Sequence, residues 1–257
     1  TLEVQLVRVL MKSIVANGGK FSADHFRKAY VDFMTTPGSH NDTYASTCHR
    51  MFFANMTFKK LPAEESPDND QHNVDTVDGL ILPTITALAY AARREVDVGA
   101  KEASQTAAVT RSSPVLEMYS SIWTDLIMAS LHSDDSIEEA LNQAAKGFGM
   151  RQKPRANGRD EMSACYLQGS IPTMLDMIAK YTSSSRTNDA WTGLLANANV
   201  GGENVHRGSV LGAVLGARAG VENMPAELFD GLYDKDAISE EIDAFVTAVL
   251  GSNDQEL

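Results

Sequence analysis

The stretch ANANVGGENVHRGSVLGAVLGARAG, residues 196–220, decides how the chain is read. A polar loop opens on Gly201 and Gly202 and carries Glu203, Asn204, His206 and Arg207. It runs directly into an apolar segment with glycine at every fourth position: Gly208, Gly212, Gly216 and Gly220. Each glycine costs a helix about 1 kcal/mol relative to alanine. Four on one face are tolerated where small residues let another backbone come close. The spacing therefore predicts a helix over about 207–220, buried at the centre of the molecule. The four polar side chains then stand at a helix N-terminus, where free N–H groups and the positive dipole end suit phosphate or carboxylate.

Outward from that helix, the periodicity is helical almost everywhere. Leu2, Leu6, Val9, Leu10 and Ile14 fall on one stripe. Ser22 stands as a cap before Phe26, Tyr30 and Phe33. A helix follows over about 43–58, and Val77–Arg93 is apolar enough for a central helix kinked at Pro83. Further helices are predicted over about 98–110, 114–131, 135–147, 162–181, 187–197 and 237–250. Residues 61–75 read as a long polar loop and 151–161 as a basic, flexible one. No alternating strand pattern occurs. The expectation is an all-α protein, about ten helices in one compact domain spanning 1–257.

Hydrophobic residues are 43% and charged residues 22% of the 257, an ordinary globular balance. The net charge of −12 argues against nucleic acid or an anionic membrane as partner, since both call for a basic patch. No apolar run reaches the roughly 18 residues of a membrane span. Cys48 and Cys165 fit no metal or redox spacing and read as reduced thiols, which points to the cytoplasm. Thr1 falls inside a helical pattern with no methionine before it, so the natural start is expected upstream. P-loop, nucleophile-elbow, zinc and dinucleotide motifs are all missing from the sequence.

The polar clusters supply the candidate chemistry. Glu203 can act as an acid, a base or a metal ligand, and Arg207 can take a phosphate bidentately. A capping network around a buried ion pair is the simpler alternative. In DNDQHNVD, residues 68–75, Asp68, Asp70, His72 and Asp75 could hold a hard cation. The stretch is no EF-hand, because Asn73 takes the glycine position, and an acidic solvated loop is its simpler reading. His72, Asn73 and Asp75, at the entry of the central helix, are the stronger part. Asn41 or Asp42 in PGSHNDTY, and TRSSP at 110–114, read as helix caps. All these groups sit at mouths of apolar helices. Asp42, His72, Asn73, Asp75, Glu203, Asn204 and His206 are therefore expected to converge on one cleft.

With these motifs the chain resembles the ADP-ribosylglycohydrolase family, which includes the J-type crystallins of jellyfish lenses. The glycine pair and the glycine-spaced helix carry the resemblance. TLEVQLVRVLMKSI, FMTTPGSHNDTYASTCHRMFFAN, DNDQHNVDTVDGL and CYLQGSIPTML support it in the family's order. It implies an orthogonally packed helical bundle with a central cleft. In active members it also implies two magnesium ions, held by an early Thr-Asp-Asp-Thr motif and a late one after the glycine pair. The reaction implied is hydrolysis at the ribose of an ADP-ribosyl group.

This sequence departs from that pattern at several points. Glu203 stands where the first late aspartate belongs, and Val205 where the second belongs. The early motif falls just before or over Thr1 and Leu2, where only Glu3 supplies a carboxylate. The helix preceding it in the family has no counterpart here. The expectation is a glycosidic-bond hydrolase with no tightly bound metal pair and at most one weakly bound magnesium ion. Its substrate is a small molecule or an ADP-ribosylated group. Glu203 is the acid or base, with Asp75 or Asp42 as partner. Arg207 and the amides of Gly201 and Gly202 take phosphate; Asn204 and His206 orient the sugar, beside His72 and Asn73. The alternative is a non-catalytic, crystallin-like structural protein or ligand-binding pseudoenzyme. Val205 favours it, and the retained polar cluster opposes it.

Overall fold

The computed structural model describes residues 1–70, 73–133, 136–183 and 189–251. Twelve α-helices account for most of them: α1 (Leu2–Ala16), α2 (Ala23–Thr35), α3 (Thr47–Thr57), α4 (Ile81–Ala92), α5 (Val96–Ala108), α6 (Pro114–His132), α7 (Glu138–Gly147), α8 (Leu167–Thr182), α9 (Asp189–Val200), α10 (Asn204–Ala219), α11 (Ala226–Asp230) and α12 (Lys235–Gly251). Among the described residues there is no β-strand, only isolated bridges. The all-α expectation holds.

Local chemistry sets several boundaries. Ser22 accepts a hydrogen bond from His25 N at 3.3 Å and starts α2. Ser113 accepts one from Leu116 N at 3.0 Å, with Pro114 as the first residue of α6. Pro83 does not kink a continuous central helix. Residues Val77–Leu80 form a separate 3-10 turn, and Pro83 falls in the first turn of α4, where no N–H is needed.

Two apolar clusters build the interior, and α4 belongs to both. Ala87 and Ala91 join Trp123, Leu126, Met174, Val210 and Val214 in one cluster. Leu82, Ala89 and Tyr90 join Leu6, Ile14, Phe26 and Phe52 in the other. Helix α10 packs against α4, α6, α8 and α9 through Val210, Leu211, Val214 and Leu215. Its opposite side is open, with Val205 61% exposed, so the glycine helix is buried on one side rather than all round.

The two long loops are better anchored than their composition suggests. Asp68 is fully buried rather than solvated. Its backbone pairs with Thr110 O at 3.2 Å and Ser112 N at 2.7 Å, and burial raises the pKa of its carboxyl group. The basic loop is tied to α8: Arg155 Nε donates to Asp176 at 2.8 Å, and Lys180 holds Asp160 at 2.8 Å. Beyond those anchors the chain forms a strap, residues 162–166, that leads into α8.

Candidate functional site

The strap joins the two segments singled out in the sequence. On one side Val77 N donates to Cys165 O at 2.8 Å, and Tyr166 donates its hydroxyl to Asn73 Oδ1 at 2.7 Å. On the other, Glu203 N donates to Ser163 O at 3.0 Å. Gly201 and Gly202 make that approach possible, with φ of 72° and 70°. A β-carbon at Gly202 would lie 2.3 Å from Ser163 O, so backbone conformation and space both demand glycine there.

Three helix-start regions meet beside this strap. Glu3 comes from the first turn of α1, Asp78 from the 3-10 turn, and Glu203 with His206 from the start of α10. His206 Nδ1 lies 2.6 Å from Glu203 Oε1, and its Nε2 lies 3.9 Å from Glu3 Oε1. The three side chains are 25%, 27% and 14% exposed for His206, Glu203 and Glu3, open enough to meet a ligand and sheltered enough to hold geometry. Asp78 is coupled electrostatically to His206, and Cys165 to Glu203 and Asp78, so these groups share one electrostatic neighbourhood with Glu3 beside them.

Beneath this rim the polar groups are buried. Arg111, 3% exposed, donates to Asp78 Oδ2 at 2.9 Å, to Cys48 Sγ at 2.9 Å and to Thr76 Oγ1 at 3.0 Å. The guanidinium overcomes burial and lowers the Asp78 pKa to about 2. Burial lowers His49 to about 4, with Arg111 adding to the effect, while the ring stays 2.8 Å from Tyr30 Oη. Burial pushes the Cys48 thiol up. A cavity of about 20 Å³ lies among Glu3, His49, Asp78 and Arg111, room for about one water.

The structure places the residues selected from the sequence in different ways. Glu203 and His206 are joined directly, with Gly201 and Gly202 as the turn that presents them. Asn73 and Asp75 lie on the neighbouring segment with other ties: Asn73 accepts from Tyr166, and Asp75 Oδ1 accepts from the Ser113 cap of α6. Asn204 donates to Ala198 O at 3.0 Å, a tie within the α9–α10 corner. Asp42 is exposed in the irregular stretch before α3; among the described residues no hydrogen bond or ion pair joins it to Glu203. His72 lies outside the described residues.

Arg207 differs most from its expected role. It is fully buried, and its donors go to Asn197 Oδ1 at 2.6 Å, Ser163 Oγ at 2.7 Å, Gly201 O at 3.0 Å and Asn197 O at 3.3 Å. Its work is to hold the glycine turn against the strap; four of its five N–H groups are engaged and the side chain has no exposed surface, so it is not open to a phosphate. Asp78, His49 and Arg111 were not selected from the sequence. One signal for Asp78 was present: it is the only charged residue from Thr76 to Ala92.

Among the described residues, the carboxylates at this rim do not by themselves make up the ligands of the magnesium pair that the family resemblance implies. Asp78 is paired with Arg111, Glu203 with His206, and the Val205 side chain offers no oxygen. Among the described residues no group of three or more His, Cys, Asp or Glu side chains is placed to hold a metal ion. Nor is any helix among them long and apolar enough to cross a membrane.

Comparison with curated proteins gives no match. The family model described as ADP-ribosylglycohydrolase matches residues 1–255, nearly the whole chain and every segment that builds the site. The chain belongs to the ADP-ribosylglycohydrolase family.

Proposed function

We propose that the protein hydrolyses a glycosidic bond at the ribose of an ADP-ribosyl or related nucleotide-sugar substrate, without a metal pair. Family membership supports the reaction class. The observation that carries the reading is the Glu203–His206 pair, 2.6 Å apart and partly open to solvent, with Glu3 facing the far side of the ring. An imidazole held by a carboxylate is a general acid–base unit, and positioned proton transfer contributes about 10²–10⁴-fold in rate. Asp78 and Glu3 take the place of Asp42 and Asp75 as the accompanying carboxylates. Held anionic by Arg111, Asp78 can stabilise the positive charge that develops on a ribosyl ring as the glycosidic bond breaks.

The crystallin-like alternative gains little support, because Glu203 and His206 are paired at a sheltered rim rather than dispersed over the surface. A cytoplasmic location is part of the same proposal, supported by two free cysteines, one of them buried. The test is turnover of a panel of N- and O-linked ADP-ribosyl compounds, run with magnesium and with excess chelator. Turnover in chelator is expected. Turnover confined to magnesium overturns the metal-independent part, and none in either condition overturns the reaction class.

A further inference from the structure

We propose that the groove between the end of α7 and the basic loop is a docking surface for an acidic polypeptide segment, one that carries several aspartate or glutamate side chains. The groove stands apart from the reaction centre proposed above, since none of Glu3, Asp78, Glu203 and His206 lines it. Its mark in the sequence is a local inversion of charge. Residues 141–159, LNQAAKGFGMRQKPRANGR, hold Lys146, Arg151, Lys153, Arg155 and Arg159 without a single carboxylate, in a chain of net charge −12.

The fold uses one of these cations and leaves the others spare. Arg155 is the anchor: its Nε and Nη2 donate to Asp176 Oδ2 at 2.8 and 2.6 Å, and its backbone N–H donates to Asp176 Oδ1 at 2.7 Å. Met150 N donates to Ala145 O at 2.9 Å at the start of the loop, and Lys180 and Tyr181 each hold Asp160 at 2.8 Å at its end. The loop is therefore fixed at its start, middle and end. Lys146, Arg151, Lys153 and Arg159 are nonetheless exposed, and among the described residues none of the four forms an ion pair. Three of them, Lys146, Arg151 and Lys153, line a groove of about 610 Å³ with the side-chain amides of Asn142, Gln143 and Gln152. Glu139 closes one end and accepts a hydrogen bond from Gln143 at 3.1 Å.

What the groove supplies and what it withholds set its occupant. Arg151 can take a carboxylate bidentately, the lysines offer point charges, and the amides can pair with a peptide backbone. Single-stranded nucleic acid binds on aromatic platforms, and no aromatic side chain lines the groove. A duplex would bring its phosphates against a molecule of net charge −12. A lone phosphate is held by converging backbone N–H groups, whereas these cations are exposed and spread along the groove. An extended segment with carboxylates at intervals meets all three cations at once. Exposed ion pairs contribute little singly, so the binding is a sum of several and is sensitive to salt.

The test is fluorescence anisotropy of a labelled oligoglutamate peptide titrated with the whole chain. Binding is expected at about 20 mM salt and should weaken about 10-fold or more at about 300 mM. The triple variant Lys146→Gln, Arg151→Gln and Lys153→Gln should weaken it about 10-fold at low salt, with the melting temperature little changed because all three side chains are exposed. A second triple variant, Lys59→Gln, Lys60→Gln and Lys101→Gln, removes the same charge elsewhere and should bind as the parent does. Equal losses in the two variants would show attraction to overall charge rather than to the groove and overturn the proposal. A parent that fails to bind oligoglutamate at low salt overturns it as well. Tighter binding of an oligothymidylate of equal charge would assign the groove to nucleic acid instead.

Discussion

Two arginines of this protein are equally hidden and oppositely used. Arg207 is fully buried among neutral acceptors: Asn197, Ser163 and the Gly201 carbonyl. Arg111 is 3% exposed and faces a carboxylate, Asp78, at 2.9 Å. Burial consequently lowers the pKa of Arg207, whereas Asp78 and its neighbours raise that of Arg111 despite the same burial. The first guanidinium fastens backbone, tying the glycine turn to the strap. The second fastens charge, keeping a carboxylate ionised beneath the site. Burial alone therefore says nothing about an arginine's role. The formal charge of its acceptors separates a scaffold from an electrostatic foundation.

That contrast predicts an order of damage. The largest effect is expected from Asp78→Ala, which strands Arg111 without its counter-charge; breaking a buried pair this way costs about 3–5 kcal/mol. Arg207→Met removes a cation that, among the described residues, forms no ion pair with a carboxylate, so the hydrogen bonds it gives up are to neutral acceptors. A loss of about 3 kcal/mol is expected there, at about 1 kcal/mol for each of Asn197 Oδ1, Asn197 O and Gly201 O, since Ser163 Oγ keeps Ser170 and Thr173 as partners. Urea denaturation of both variants at pH 7 measures the order. Equal losses would mean that the Asp78 charge adds nothing beyond its hydrogen bonds, and the contrast would collapse. The double variant Asp78→Asn with Arg111→Met should recover part of the loss, since both charges then leave together.

Acid titration separates the same regions by pH. The pKa of His49 is lowered from 6.5 to about 4 in the fold, so above pH 6.5 it contributes no penalty. As pH falls from 6.5 to 4 the unfolded chain binds a proton that the native chain refuses, and about 3 kcal/mol of stability is lost. The Asp78 carboxylate, at about 2 against 3.8 when unfolded, contributes stability that is full above pH 3.8 and lost toward pH 2. Denaturation midpoints from pH 7 to 4 should therefore fall on the His49 limb, and His49→Gln should flatten it. A parent whose midpoint is constant over that range would show that His49 is not held neutral.

These effects mark what the sequence could and could not disclose. Helices were legible because their buried faces repeat at helical spacing, as in Leu2, Leu6, Leu10 and Ile14, all of them in the core. Glu203 and His206 were legible because a glycine turn presents them at a helix start. Asn73 and Asp75 were read correctly as residues preceding the central helix, but their hydrogen bonds go to Tyr166 and Ser113, partners remote in sequence. Arg207 was misassigned for a related reason. Its acceptors Asn197 and Gly201 are near in sequence, yet only folding against Ser163 closes the cage around it. Asp78 could have been found as the lone charge in an apolar run. His49 could not, since nothing local shows that Tyr30 and Arg111 will enclose it.

The smallest effect tests the glycine spacing itself, and here the four positions part company. A β-carbon at Gly208 would lie 2.8 Å from Asn197 Nδ2. That amide donates to Asn204 O at 2.8 Å, and the same side chain accepts from Arg207 Nε at 2.6 Å. Alanine at 208 therefore pushes on the residue that cages the buried guanidinium. At Gly212 the nearest atom is Leu194 Cδ2 at 3.4 Å, ordinary contact, and at Gly216 nothing lies within 4 Å. Gly220 is no part of the packing face; with φ of 79° it terminates the helix. If close approach were the purpose of the whole ladder, alanine would be destabilising at 208, 212 and 216 alike. The geometry instead predicts a change of sign along one helix. Gly216→Ala should stabilise by about 0.5–1 kcal/mol through helix propensity alone. Gly212→Ala should be nearly neutral. Gly208→Ala should destabilise by about 1–2 kcal/mol, because displacing Asn197 loosens its hydrogen bond to Arg207 and outweighs the propensity gain. Thermal denaturation of the three variants reads the sign directly. A Gly208→Ala protein more stable than the parent would show that Asn197 can move without disturbing Arg207, and that the guanidinium cage is looser than its hydrogen-bond geometry implies.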